Sequence, residues 1–175
     1  MASPFVRLFA LIAVLAALGL GACGDDEGDQ SASPAEASQP TTVEDPDQAL
    51  ENTSVKPELP KPTGSPPRKL EREDIVAGRG RRAKAGDTVV VEYVGVTFST
   101  GEEFDASWDR GQPFTFALGG EHVIEGWDRG IVGMRKGGRR QLTIPPEQAY
   151  GAEGQPPDIG PNETLVFVVD LVAIR

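Results

Sequence analysis

Nine aromatic residues fall between Tyr93 and Phe167 of this 175-residue chain, and they are the side chains best able to act together. They are Tyr93, Phe98, Phe104, Trp108, Phe114, Phe116, Trp127, Tyr150 and Phe167. Around them the usual catalytic groups are scarce. The chain has one histidine, His122, and one cysteine, Cys23. Neither a zinc set nor a cysteine nucleophile can be built from these, and no serine stands in a nucleophile-elbow context. No phosphate-cradling G-x-x-x-x-G-K-[ST] loop and no dinucleotide fingerprint is present. What the aromatic set can do, with no nucleophile, metal or cofactor, is line an apolar pocket that desolvates a bound group. Each residue also has a plainer reading: Phe98, Phe116 and Leu118 as core, Asp105 as a turn residue, Trp127 as core or pocket floor. Trp108 reads equally as an exposed contact or as loop packing.

The stretch that must position these residues is His122 to Met134, HVIEGWDRGIVGM. Val123, Ile124, Trp127 and Ile131 recur at near-helical spacing, which predicts one short helix with a single buried face. Gly126 and Gly130 lie four apart on one side. Each weakens the helix by roughly 1 kcal/mol relative to Ala, a loss that close approach to a sheet would offset. Strands are expected at Leu70–Val76 (an edge), Thr88–Phe98, Glu102–Ala106, Phe114–Leu118, Arg139–Ile144 and Glu163–Ile174. Between them, Gly78–Asp87 reads as a basic solvated turn, Ser99–Gly101 as a hairpin turn, and Trp108–Pro113 and Pro145–Pro161 as loops. Strands joined by tight turns plus one short helix imply an α+β domain, an antiparallel sheet packed on the helix.

The first 66 residues differ in kind. Met1–Ala22 reads as a signal peptide, with Arg7 before an apolar run, Leu8–Leu20, too short for a confident membrane span. It ends in LGAC, which resembles a bacterial lipobox, so Cys23 is the expected site of lipidation and membrane anchoring; several acyl chains on one cysteine hold stably. The segment 23–66 is acidic, rich in Pro and Ser, without aromatics, and reads as a disordered tether spanning on the order of 35–40 Å. A weak helix is conceivable at Asp47–Asn52. The formal charge of −10 belongs mostly to this tether: Gly24–Pro66 carries −8, whereas 67–175 carries −3. That near-balance gives no footprint for nucleic acid. The expected organisation is therefore 1–22 signal, 23–66 tether and 67–175 domain, the chain being extracytoplasmic, lipid-anchored in the cell envelope and monomeric.

Several segments in order resemble the FKBP-type peptidyl-prolyl cis-trans isomerases: VVVEYVG (Val89–Gly95), GEEFDAS (Gly101–Ser107), PFTFALG (Pro113–Gly119), VIEGWDRGIVGM (Val123–Met134), LTIPPEQAYG (Leu142–Gly151) and ETLVFVVDLV (Glu163–Val172). The resemblance spans Arg68 to Arg175. It implies a half-open antiparallel sheet wrapped around one short helix, and an enzyme that turns X–Pro bonds of exported proteins without any cofactor or metal. Carried over by position, the pocket has Trp127 as floor and Tyr93, Phe114 and Phe167 as walls. The backbone N–H of Ile124 and the hydroxyl of Tyr150 are implied donors to substrate carbonyls. Asp105 is implied beside the reacting amide, and Phe104, Arg110, Val123 and Ile159 complete the set. The catalytic residues are thus expected to be Asp105, Tyr150, Trp127 and Phe104. Implied partners are unfolded or Pro-containing polypeptides and macrolides such as tacrolimus and rapamycin. His122, Gln155 and Asp158 depart from the best-known eukaryotic members at the rim, which bears on macrolide affinity and on the residue preferred before proline. The alternative is a non-catalytic module of the same fold that holds Pro-containing or unfolded segments.

Overall fold

Thr88–Thr97, the run TVVVEYVGVT, forms the long strand β2 around which the sheet is laid out. Its β-branched and aromatic side chains suit a pleated surface buried on both faces. The computed structural model describes residues 50–175; the signal segment, Cys23 and the rest of 23–49 lie outside the described residues. The other strands are β1 (Glu71–Val76), β3 (Glu103–Ala106), β4 (Phe114–Ala117), β5 (Arg139–Ile144) and β6 (Leu165–Ile174). All pairings are antiparallel, in the order β1-β5-β6-β2-β3, with β4 also on β2.

One edge of β2 is shared. Its first half pairs with β4 (Val89 opposite Phe116) and its second half with β3 (Gly95 opposite Asp105). Between β3 and β4 the chain leaves the sheet as a single helical turn, α1 (Ser107–Arg110). A loop was expected there. Gly111, at φ 60°, closes the turn by donating its N–H to the Trp108 carbonyl, and one turn is too short to leave a periodic signature.

The central helix, α2, spans only Glu125–Gly130, shorter than the expected His122–Met134. Ile124 is extended (φ −57°, ψ 146°) and Gly133 has φ 84°, so neither flank can continue the helix. The two glycines do what their spacing suggested. A Cβ on Gly126 would collide with Ile144, and one on Gly130 would lie 2.8 Å from Leu142. Both neighbours belong to β5, so the helix rests directly on the sheet.

Period-2 alternation gives the sheet two distinct faces. Tyr93, Leu142, Phe167, Val169 and Leu171 join Trp127 and Ile131 in the main core under α2. Val94, Val96, Ala106 and Val166 form a second cluster on the outer face, with Leu59, Phe98 and Trp108 packed against it. Trp108 is therefore loop packing rather than an exposed contact.

Leu59 belongs to a strap, residues 50–66, that corrects the expected boundary between tether and domain. Lacking aromatics, this stretch reads from its sequence as disordered tether. Instead it lies on the outer face. Arg139, fully buried on β5, donates Nη1 to the Leu50 carbonyl (2.9 Å) and Nη2 to the Val55 carbonyl (3.0 Å). Its Nε, and Nη2 a second time, donate to Asp170 on β6, each at 2.6 Å. Lys56 pairs with Glu103 (2.8 Å) and Asp109 (2.7 Å). The strap is held through its own carbonyls, one lysine and the apolar side chain of Leu59, which make no periodic apolar pattern. No helix among the described residues is long and apolar enough to cross a membrane.

Candidate functional site

Trp127, 4% exposed, projects from α2 into the concave face of the sheet. Four rings surround it: Tyr93 at 4.9 Å, Phe167 at 5.2 Å, Phe116 at 5.7 Å and Phe114 at 6.2 Å between centroids. The Tyr93 and Phe167 contacts are edge-on (83° and 84°), the orientation that ring quadrupoles favour. Phe104 from β3 meets Phe167 edge-on at 5.5 Å. Gly95, opposite Phe167 in the β2–β6 register, makes room for both. A Cβ there would sit 2.7 Å from each ring.

These rings enclose a basin of ≈ 210 Å³, floored by Trp127 and walled by Tyr93, Phe104, Phe114 and Phe167. Asp105, His122, Val123, Ile124 and Tyr150 complete its lining. Ile159 lies in an adjoining cleft of ≈ 200 Å³, next to Phe104, Asp105 and Tyr150 and beside Gln155 and Asp158. Arg110 lines neither, but bonds Asp105 and the Tyr93 hydroxyl, which line the basin. All the site residues expected in the domain thus converge here, whereas Cys23 lies outside the described residues. Phe116, expected as core, is buried and also stacks behind Phe114 at 5.5 Å.

The polar groups of the basin form one network. The Tyr93 hydroxyl donates to Asp105, and Arg110 donates to both of them, with Nη2 2.6 Å from the phenol oxygen. Burial, then the hydrogen bond to the Asp105 carboxylate, pushes the Tyr93 phenol up to about 12, against the opposing pull of Arg110. Burial and the nearby Asp105 charge also raise Tyr150. Both phenols are therefore protonated donors at neutral pH. Tyr150, 37% exposed, faces the opening.

Three supporting residues escaped the sequence reading. Ser107, fully buried at the start of α1, accepts the Tyr93 N–H (2.8 Å) and donates to Glu92. It ties Tyr93 to the turn that carries Arg110. Asp128, on α2, accepts N–H groups from Gly119 (2.7 Å) and Glu121 (3.0 Å), bracing the loop that leads to Val123 and Ile124. Ile124 stands immediately before α2, and its own N–H has no partner among the described residues. Lys56 is the third. A serine next to a tryptophan and an aspartate within a helix give no spacing signal, so only the folded geometry exposes these roles.

The site offers an apolar floor, neutral donors and one internally neutralised Asp–Arg pair. Among the described residues no group of three His, Cys, Asp or Glu side chains could hold a metal ion. Such a surface can desolvate and orient a bound amide.

A family model described as FKBP-type peptidyl-prolyl cis-trans isomerase matches residues 79–172. A Streptomyces anulatus protein called FK506-binding protein is 58% identical over 120 residues, covering 68% of this chain and 97% of that protein. A Corynebacterium glutamicum protein called probable FK506-binding protein is 53% identical over 118 residues, covering 67% and 98%. Matches of that length do not fit between Arg68 and Arg175, so both take in part of the strap. Among solved structures, FkpA from Escherichia coli is similar at TM-score 0.56 and 47% identity, covering 61% of this chain and 48% of its own. AtFKBP13 is similar at TM-score 0.56 and 38% identity, covering 61% and 93%.

Proposed function

Since this chain belongs to the FKBP-type peptidyl-prolyl cis-trans isomerase family, we propose that it turns X–Pro bonds in the basin above Trp127, and that its clients are exported polypeptides. The isomerase activity goes with the family. The residue roles and clients are our reading, and the convergence of six aromatic side chains and the Tyr93–Asp105–Arg110 network on one basin supports the roles.

The planar X–Pro amide is held by resonance behind a barrier of roughly 20 kcal/mol. Twisting it removes the resonance and leaves a less polar amide that water solvates less well. The proline ring lies on the Trp127 indole, between Tyr93, Phe114 and Phe167. Removing the planar amide from water then favours the twisted form. The Ile124 N–H and the Tyr150 hydroxyl hold the peptide carbonyls of the bound segment. Asp105 lies beside the reacting amide, with its charge balanced by Arg110, and Phe104 closes the wall behind it. No covalent bond forms, and no proton need leave Tyr93 or Tyr150.

Export is supported by the sequence: Arg7, the apolar run Leu8–Leu20 and LGAC ending at Cys23 make a lipoprotein signal. Acylation of Cys23 would place the isomerase at the outer side of a membrane, where newly exported chains fold. Labelling with a radioactive fatty acid checks this; loss of label and release from membranes in Cys23→Ser are expected. Macrolides of the tacrolimus and rapamycin type are proposed to compete for the basin, with affinity set at the rim by His122, Gln155 and Asp158.

The deciding experiment measures isomerisation of short X–Pro peptides by the full chain, with rapamycin as competitor. Trp127→Leu and Asp105→Asn should each lower kcat/KM by roughly tenfold or more. Unchanged turnover in both variants would sink the site assignment. Binding of Pro-peptides without turnover in the wild-type chain would leave the fold serving as a holding module.

A further inference from the structure

The strap carries a residue that acts on the site from behind. We infer that Lys56 is a positioning residue for prolyl isomerisation, keeping Arg110 committed to Asp105 and Tyr93. The inference rests on the reading that Asp105 and Arg110 belong to the reacting site.

The segment running from β3 into α1 is crowded with charge. Glu103, Asp105 and Asp109 provide three carboxylates within seven residues, and Arg110 is the one guanidinium among them. Any of the three could take it, since an arginine fork pairs readily with any carboxylate that reaches it. In the folded chain Arg110 goes to Asp105 and to the Tyr93 hydroxyl. Glu103 and Asp109 are instead occupied from the other side, each by the Lys56 ammonium, at 2.8 and 2.7 Å. Lys56 holds the Asp109 carboxyl below the usual carboxylate range.

The lysine can do this because it is not on a free tail. On its N-terminal side, Arg139 grips the Leu50 and Val55 carbonyls. On the other side Pro57 is buried and Leu59 packs into the cluster with Val94, Val96, Val166 and Trp108. Lys61 then lies against the Gly101 hairpin, so close that a Cβ on Gly101 would be 2.9 Å from it. An ammonium anchored on both sides delivers a fixed charge. A surface lysine on a loose segment would yield little.

If Lys56 were neutral, two unpaired carboxylates would lie within seven residues of Arg110 in sequence. Asp109 adjoins it directly. Drawing the guanidinium away would free Asp105 and take the donor from the phenol oxygen of Tyr93, altering the polar wall where the amide twists. The floor and walls, set by α2 and β6, would stay.

The test uses the full-length chain, with kcat and KM measured separately on an X–Pro peptide and folding checked by circular dichroism. Lys56→Ala should lower kcat by roughly three- to tenfold, the range expected from losing two exposed ion pairs, while KM stays within about twofold. Lys56→Arg should restore kcat. Neutralising the competitors as well, in Lys56→Ala/Glu103→Gln/Asp109→Asn, should also restore it, although that variant has fewer ion pairs than the single one. A wild-type kcat in Lys56→Ala, or a triple variant no faster than it, overturns the inference. If Asp105→Asn is as fast as wild type, the fault lies with the site assignment on which the inference stands.

Discussion

Arg110 caps Tyr93: its guanidinium carbon is 5.5 Å from the ring centroid and its Nη2 is 2.6 Å from the phenol oxygen. The two residues lie on different elements, β2 and α1, and meet because Ser107 ties one to the other. Tyr93→Phe keeps the ring against Trp127 but removes the oxygen that bonds both Arg110 and Asp105. A hydrogen bond to a charged group contributes about 1.5–3 kcal/mol. Peptide isomerisation assays should show kcat/KM reduced by roughly tenfold or more, and the thermal midpoint should fall by several degrees as well.

The same network is visible in a titration. The chain has two tyrosines, Tyr93 and Tyr150. Near-ultraviolet absorbance of the phenolate should show Tyr93 ionising near 12, well above the usual 10, and Tyr150 also late. Because the folded-state value lies above the unfolded one, the folded state holds the proton more tightly. The stability this gives is complete below about pH 10 and is lost as pH rises through the folded value near 12. Chemical unfolding at stepped alkaline pH should show that decline, and Tyr93→Phe should make it shallower.

Gly95 tests the wall. Alanine there must push Phe104 or Phe167 aside, each 2.7 Å from the added carbon. Overpacking of a close-fitted interior costs typically 1–3 kcal/mol. Urea unfolding should show a loss of that size, and the isomerase rate should fall with it because both rings line the basin.

Residues 50–66 should prove part of the domain. A chain starting at residue 67 bares Val94, Val96, Val166 and Trp108 and removes two carbonyl acceptors from Arg139. Compared by urea unfolding with a chain starting at residue 50, it should be less stable by about 2–4 kcal/mol. Equal midpoints would mean that the strap contributes nothing.

The sheet and basin were largely legible because their signals are local. The β-branched run Val89–Val91 leading into Tyr93 announces a strand, and Gly126 with Gly130 announces a helix pressed on something flat. The aromatic spacing carried the site through its resemblance to a family. What stayed hidden depends on partners remote in sequence. Arg139 reaches Leu50 and Val55 across 89 and 84 positions, through backbone carbonyls that every residue has. Without aromatics, the strap offered only its charge and prolines, which also describe a free tether. The ends of α2 differ from the expected ones because Val123 and Ile131 keep helical spacing while Ile124 and Gly133 adopt backbone angles a helix forbids.

The Arg139 grip also determines how the domain would bear a pull. Tension arriving along the chain at Leu50 passes through a carbonyl into Arg139, and from there into Asp170, its register partner on the neighbouring strand. The load is thus spread into the ladder between β5 and β6, the middle of the sheet, in shear across many backbone bonds. Trp127 and the rings around it lie on the opposite face, off that load path. A domain moored by its N-terminal side could be tugged without its basin changing shape.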